Sequence, residues 1–358
     1  MSGFGHSGHS GHSGHSGHSG HSGHSGHSGH SGHSGHSGSV GTDHAGGMKS
    51  TALSVALAVS RDGLIGAWDG NAAITDPILP AIEQYDYLTP ALRGRMLDQA
   101  LIGAVSVQAG PTTGTVKVGT DTLVSLTRPA NGIFAAQMPL LRVYADLRAD
   151  RLPEIFQQIH DMMSFYGAIV NLDHTGRRWT MEVLEAAVRL AIAVELPLKH
   201  GFAAQRPIAY SQKVQPIIQT PPHYSYPSGH ATESFLIATL LAHFSGGDPW
   251  TGINAGNLLF QLAERITNNR TIAGLHFPLD NYAGALLGVA LGRCLISTGT
   301  GLKLPAEAKF TGVGHLDPMA HFHLEGCGDL VGVKPTDTAP YPDDIFAYIW
   351  KRATKEWV

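Results

Sequence analysis

Tyr226-Pro227-Ser228-Gly229-His230 stands directly before an apolar run over residues 231–244 that reads as a helix. A Ser-Gly pair at a helix start presents a hydroxyl, free backbone N–H groups and the positive end of the helix dipole. That combination is a ready anion cradle. Gly229 carries no side chain, so an anion can approach the backbone closely. His230 then stands over the cradle as an acid or a base. The plainer account of the same residues is a helix cap followed by a core histidine.

Working outward, the surrounding sequence is mostly helical. Over 180–195 the residues Val183, Leu184, Ala187, Val188, Ala191 and Val194 recur at three-to-four spacing, and Pro197 is expected to end that helix just before Lys199. Residues 153–166 fit another helix, with Ile155, Ile159, Met162 and Met163 on one face, and 254–267, 281–296 and 345–350 are further candidates. Residues 74–100 read as helical pieces broken by Pro77, Pro80 and Pro90. Between 103 and 127 the pattern changes to short β-like runs (Val105 to Val107, Thr115 to Val118, Thr122 to Val124) separated by Gly and Thr, which predicts a small β-hairpin excursion. The expectation is a mostly α-helical bundle forming a single domain over 48–358, without a central sheet.

The first 47 residues stand apart. From Gly5 to Gly38 the chain repeats Gly-His-Ser, with a histidine at every third position from His6 to His36. Such a segment has nothing apolar to bury, so it is expected to be a disordered tail with the character of a purification tag, and Met48 reads as the native start. Its histidines carry no information about the active site. The formal net charge is −4 and no basic stripe interleaves with aromatics, which argues against nucleic acid as a partner. Cys294 and Cys327 show neither CxxC pairing nor metal spacing, leaving one disulfide or none. No uninterrupted apolar run reaches the length of a bilayer span, and the best stretch, 283–296, is broken by Arg293, so the chain is expected to be soluble and not membrane-spanning. Met48-Lys49 followed by an apolar run over 52–59 faintly resembles a signal peptide, but an ordinary first helix explains it equally well. A cytoplasmic and an exported location both stay open.

Two further segments carry chemistry. Lys199 and Arg206, in Lys199-His200-Gly201-Phe202-Ala203-Ala204-Gln205-Arg206-Pro207, would share one helix face if the helix persisted. Asn269-Arg270 leads to Leu275-His276-Phe277-Pro278-Leu279-Asp280. There Arg270 can clamp an oxyanion, and Asp280 can hold one imidazole nitrogen of His276 and leave the other basic. Taken singly, the first segment is a solvated basic face and the second a structural His–Asp pair.

Together the three segments read Lys-x6-Arg-Pro, Pro-Ser-Gly-His and Arg-x5-His-x3-Asp, in that order. This resembles the superfamily that joins type 2 phosphatidic acid phosphatases, bacterial class A acid phosphatases and vanadate-dependent haloperoxidases. One departure is Asn269, where the family usually has serine. The resemblance implies a helical bundle around a site for a tetrahedral oxyanion, phosphate or vanadate. Lys199, Arg206 and Arg270 would balance its charge, while Ser228 and the Gly229 N–H would hydrogen-bond its oxygens. His276 would attack phosphorus to give a phosphohistidine, or bond axially to vanadium. His230 would protonate the leaving alkoxide or assist peroxide binding, and Asp280 would orient His276.

Phosphate and vanadate share shape and charge, so the surroundings must discriminate. His223 occupies the place where algal bromoperoxidases, by resemblance, carry a second histidine near the vanadate. Against that, Leu196 stands where haloperoxidases often have tryptophan, and the stretch between His230 and His276 is short. The long helical region before Lys199 resembles that of smaller bacterial haloperoxidases. The expectation taken from the sequence is a vanadate-dependent haloperoxidase, with hydrogen peroxide, bromide or iodide and an organic acceptor as partners, and a homo-oligomer allowed by its helices, poor in polar residues. The alternative is a soluble phosphomonoesterase acting on a phosphate ester at the same residues. A non-enzymatic helical or metal-binding protein is the third reading, and it predicts no consequence of changing Arg206 or His276.

Overall fold

The computed structural model describes residues 51–65, 84–247, 253, 256–312, 317, 319–328 and 344–358. The expected tail, Pro77 and Pro80 lie outside these residues. Within them the order is α1 (Thr51–Val59), α2 (Pro90–Gly103), strands β1 (Val105–Ala109), β2 (Thr113–Val118) and β3 (Asp121–Thr127), then α3 (Asn131–Ala136), α4 (Met138–Ala145), α5 (Arg148–His160) and α6 (Met163–Val170). The second half runs α7 (Arg178–Phe202), α8 (Pro207–Tyr210), α9 (Gly229–Phe244), α10 (Leu258–Ile272), α11 (Pro278–Thr300), β4 (Ala308–Phe310), α12 (Leu324–Gly328) and α13 (Asp344–Lys355). The fold is mostly helical, as the periodicity predicts.

The centre is the pair α9 and α11. Gly284, Gly288 and Gly292 on α11 lie in turn against Ser228, Thr232 and Thr239 on α9, so the two helices run parallel. A Cβ at Gly288 would come 2.2 Å from the Thr232 carbonyl oxygen, a contact that only glycine permits. α7 packs beside α9 through Val183, Leu184, Ala187, Val188, Ala191 and Val194, all buried as their spacing predicts. A continuous apolar core joins these helices to the sheet on one side and to Phe346, Ile349 and Trp350 of α13 on the other.

Several expectations need correction. Pro197 does not end α7, which continues to Phe202. Leu198, Lys199 and Phe202 are all buried beyond it, and their packing outweighs the lost backbone bond. Residues 153–166 are two helices, because Asp161 accepts from the Ser164 backbone N–H (3.0 Å) and starts a new turn. The expected hairpin is an antiparallel three-stranded meander with β4 added in parallel to β3, pairing Val124 with Ala308 and Leu126 with Phe310. α11 spans 23 residues and, by length and composition alone, is apolar enough to cross a membrane, contrary to the reading of 283–296 as too short. In this fold its apolarity is used in the core, where every residue from Pro278 to Ser297 is buried. Cys294 and Cys327 are both free and buried. α1 leaves Leu53, Val55, Leu57 and Val59 exposed.

The small sheet positions the site. Gly114 of β2 sits against Leu198 and Phe202, and Gly201 against Ala109 of β1, which clamps the last turns of α7. Tyr226 packs its ring on Phe202, Phe134 and Phe310 and donates its hydroxyl to the Thr127 carbonyl of β3 (3.0 Å), anchoring the loop that leads to Ser228.

Candidate active site

Four helix ends meet at one place. Ser228 caps the N-terminus of α9 and Asp280 lies in the first turn of α11, and the Ser228 N–H donates to the Asp280 carbonyl (2.9 Å). Lys199 and Arg270 lie in the last turns of α7 and α10. Helix N-termini favour an anion and C-termini favour cations, so the backbone itself sorts the charges. The structure therefore brings together Lys199, Arg206, His223, Ser228, Gly229, His230, Arg270, His276 and Asp280, all named from the sequence. Arg206 reaches the site by another route than expected. α7 stops at Ala203 (φ 49°), and Arg206 is held extended before Pro207 at the N-cap of α8.

The three cations are buried and carry fixed partners. Lys199 Nζ donates to the carbonyl oxygens of Ser225 (3.3 Å) and Pro227, which leaves a third N–H for a ligand. Arg206 donates to the carbonyls of His223 (3.0 Å) and Leu275 (3.1 Å) and so ties the two site loops together. Arg270 donates to Gln158 Oε1 (2.9 Å) and the Ile155 carbonyl (3.4 Å), both on α5. Burial lowers all three: Lys199 to about 8, Arg206 to about 10 and Arg270 to about 9, against carboxylates that pull them back up. Two buried donors of these residues, Ser228 Oγ and Arg270 Nε, have no hydrogen-bond partner. A buried donor left without an acceptor is costly. A tetrahedral oxyanion, phosphate or vanadate alike, supplies acceptors of the type these donors lack.

The tautomer of His276 follows from its neighbours. Arg206 Nη1 lies 3.1 Å from His276 Nε2, and a guanidinium can only donate, so Nε2 is the acceptor. The ring proton is then on Nδ1, which faces Asp280 Oδ2 at 3.1 Å. Burial first, then Arg206 and Lys199, hold the His276 imidazolium far below its ordinary range, so the ring is neutral. Asp280 Oδ2 also accepts from the Ser225 hydroxyl (2.5 Å) and the Phe277 N–H (2.9 Å). Burial still raises Asp280 to about 6 despite those bonds. The result is a neutral imidazole with its lone-pair nitrogen turned to the cations and its other nitrogen held by a carboxylate. That is the arrangement of an oriented nucleophile or ligand.

His230 Nε2 lies 3.2 Å from Arg270 Nη1, a donor, and 3.3 Å from the Gln158 carbonyl, an acceptor. It can serve each partner in a different protonation state, as a proton-transfer group must. His223 Nδ1 is placed in the same way between Arg206 Nη2 and the Tyr224 carbonyl, both at 3.2 Å.

Gly229 is a correction. A Cβ there would come 2.7 Å from Glu195 Oε1, so the space its missing side chain leaves on that face is filled by Glu195, not by an approaching anion. Sequence reading also missed Ser225, Gln158 and Glu233. Glu233 had a visible signal, being a carboxylate inside the otherwise apolar run 231–244. Glu195 had a fainter one, standing one turn before Lys199 on the buried face of α7. Gln158 had none, because only tertiary packing brings α5 to the site.

A family model described as the PAP2 superfamily matches residues 182–300, the span from α7 through α11 that holds the three motifs. The chain belongs to the PAP2 superfamily. A decaprenylphosphoryl-5-phosphoribose phosphatase from Mycobacterium tuberculosis, found in two strains, is 30% identical over 140 residues, covering 39% of this chain and 71% of the relative.

Proposed function

We propose that the chain is a phosphatase that hydrolyses a phosphate ester through a phosphohistidine on His276. The observation that carries this reading is the His276 ring, neutral, held at Nδ1 by Asp280 and turning Nε2 to the cations. Superfamily membership and the phosphatase relative support it. Nε2 attacks phosphorus, the N–P bond forms and the P–O bond to the leaving group breaks. His230 gives the alkoxide a proton. Water then attacks phosphorus, its proton passes to His230, and inorganic phosphate leaves with His276 restored. Lys199, Arg206, Arg270 and the Ser228 hydroxyl hold the equatorial oxygens throughout.

A second reading, the haloperoxidase, rests on His223, which stands against Arg206 at the edge of the site. Vanadate would take the same cations and Ser228, with His276 Nε2 as its protein ligand, and would supply Lewis-acid activation of peroxide. The deciding experiment pairs two assays on the purified full chain: a chromogenic phosphomonoester alone, and orthovanadate with bromide, peroxide and a dye. Brisk hydrolysis inhibited by vanadate, an acid-labile phosphoenzyme, and a loss of at least about a thousandfold in His276→Ala are expected. Vanadate-dependent bromination with feeble hydrolysis would replace the phosphatase by the haloperoxidase. In that case His223→Ala would reduce bromination and spare hydrolysis.

A further inference from the structure

Beneath the oxyanion site lies a pair of carboxyl groups that the reaction above does not use. On α7, Glu195 and Lys199 are one turn apart and share a face, as do Gly229 and Glu233 on α9. The Glu195 carboxylate fills the space at Gly229, so Glu233 stands one turn deeper along the same side of α9. Glu195 and Glu233 are both fully buried, and neither oxygen of Glu233 accepts a hydrogen bond. An ionised carboxylate in the interior survives on donors to its oxygens, and Glu233 has none among the described residues. Its electrostatic neighbours are Glu195, a like charge, with Lys199 from α7 and Arg270 from α10 pulling the other way. Asp280 of α11 acts on the Lys199 side, His230 lies on the same helix as Glu233, and Tyr166 of α6 donates to the adjacent Ser234 carbonyl (2.8 Å). Burial first and Glu195 second push the Glu233 carboxyl well above the usual carboxylate range.

We propose that Glu233 is a positioning residue of the oxyanion site, a neutral carboxylic acid packed beside Lys199 and Arg270 that fills its space without drawing their charge away from a bound oxyanion. The inference rests on the oxyanion-site reading, which the phosphatase and the haloperoxidase share. Charge makes the point. Lys199, Arg206 and Arg270 face Glu195, Glu233 and Asp280. With all six ionised the site is neutral and a poor host for a dianion, whereas a proton on Glu233 leaves it with a net positive charge.

Tungstate is a suitable probe, being a tetrahedral dianion that needs no chemistry to bind. With tungstate bound to the unmodified full chain at about pH 8, where exposed carboxyls are ionised, infrared spectra should show a protonated carboxyl band that moves in heavy water and vanishes in Glu233→Gln. Glu233→Ala should weaken tungstate binding by about tenfold, and Glu233→Gln should recover most of that loss, since the amide keeps shape and neutrality. Absence of the band in the unmodified chain, or a Gln variant as weak as the Ala variant, would overturn the assignment. Failure of the unmodified chain to bind tungstate at all would overturn the oxyanion site itself, a different result from binding that ignores Glu233.

Discussion

Asp280→Asn should make the protein more stable and less active at once. In the folded chain the carboxyl titrates at about 6 against 3.8 for a free aspartate, with burial the dominant cause and the bonds from Ser225 and Phe277 already offset. Each unit costs about 1.4 kcal/mol, so keeping Asp280 ionised at neutral pH costs about 3 kcal/mol of folding free energy. The sign follows from proton counts. Between the two values the native state holds a proton that the unfolded state has released, so stability from this group rises as pH falls from about 6 towards about 4. Asparagine has no such penalty, and its gain should approach about 3 kcal/mol at pH 7 and fade below about pH 4. Oδ2 accepts from Ser225, Phe277 and His276, while Oδ1 has no partner, so the amide can place its oxygen at the first position and its NH2 at the second. The His276 tautomer is then kept, and what is lost is the negative charge facing the imidazole as it becomes cationic on forming the N–P bond. A fall in kcat of between about a hundredfold and about ten-thousandfold is expected. Urea unfolding at the two pH values, paired with phosphomonoester turnover, measures both. An Asn variant less stable than the parent at pH 7, or one retaining kcat within about threefold, would refute the reasoning.

Turnover should follow a bell-shaped pH profile, failing on the acid side as Asp280 protonates through about 6 and on the alkaline side as Lys199 loses its charge through about 8. A kcat/KM profile without the acid limb would count against Asp280, and one without the alkaline limb against Lys199. Ser225→Ala removes the 2.5 Å bond to Asp280 and should cost about 2 kcal/mol by denaturant unfolding while moving the acid limb to higher pH; an unmoved limb would show that Ser225 does not act through Asp280. Gly288→Ala drives a methyl to 2.2 Å from the Thr232 carbonyl and should destabilise by more than about 3 kcal/mol, and a thermal midpoint within a degree or two of the parent would show that α9 and α11 can separate without cost.

The helical fold was legible because the apolar face of α7 and the continuous apolar runs of α9 and α11 are long and regular. β4 was not, since it is 3 residues long and pairs with β3 from the far end of the sequence. Pro197 misled because local propensity was read without the packing of Leu198 and Phe202 beyond it. Of the site, the cations and His276 were readable only from the three motifs taken together and the family they resemble, and Arg206 was placed on a helix that stops before it. The choice between phosphate and vanadate was not readable, because the ligands of one tetrahedral oxyanion are the ligands of the other. His223 was given weight as a discriminator that the comparisons with known proteins do not support.

The parallel course of α9 and α11 divides the molecule by tolerance to change. Both helices begin at the oxyanion site, and α7 and α10 finish there, so every chemical group sits within about a turn of a helix end on one pole. α9 starts at that pole and ends at the opposite one at Phe244, and α10 does not return to the site until Arg270. The connection after Phe244 can therefore lengthen, shorten or carry new sequence at the opposite pole, while the loops after Phe202 and Ile272 are fixed in length by the distances they span. Variation in size among proteins built this way should collect at the pole remote from the chemistry, and variation in substrate at the loops beside it.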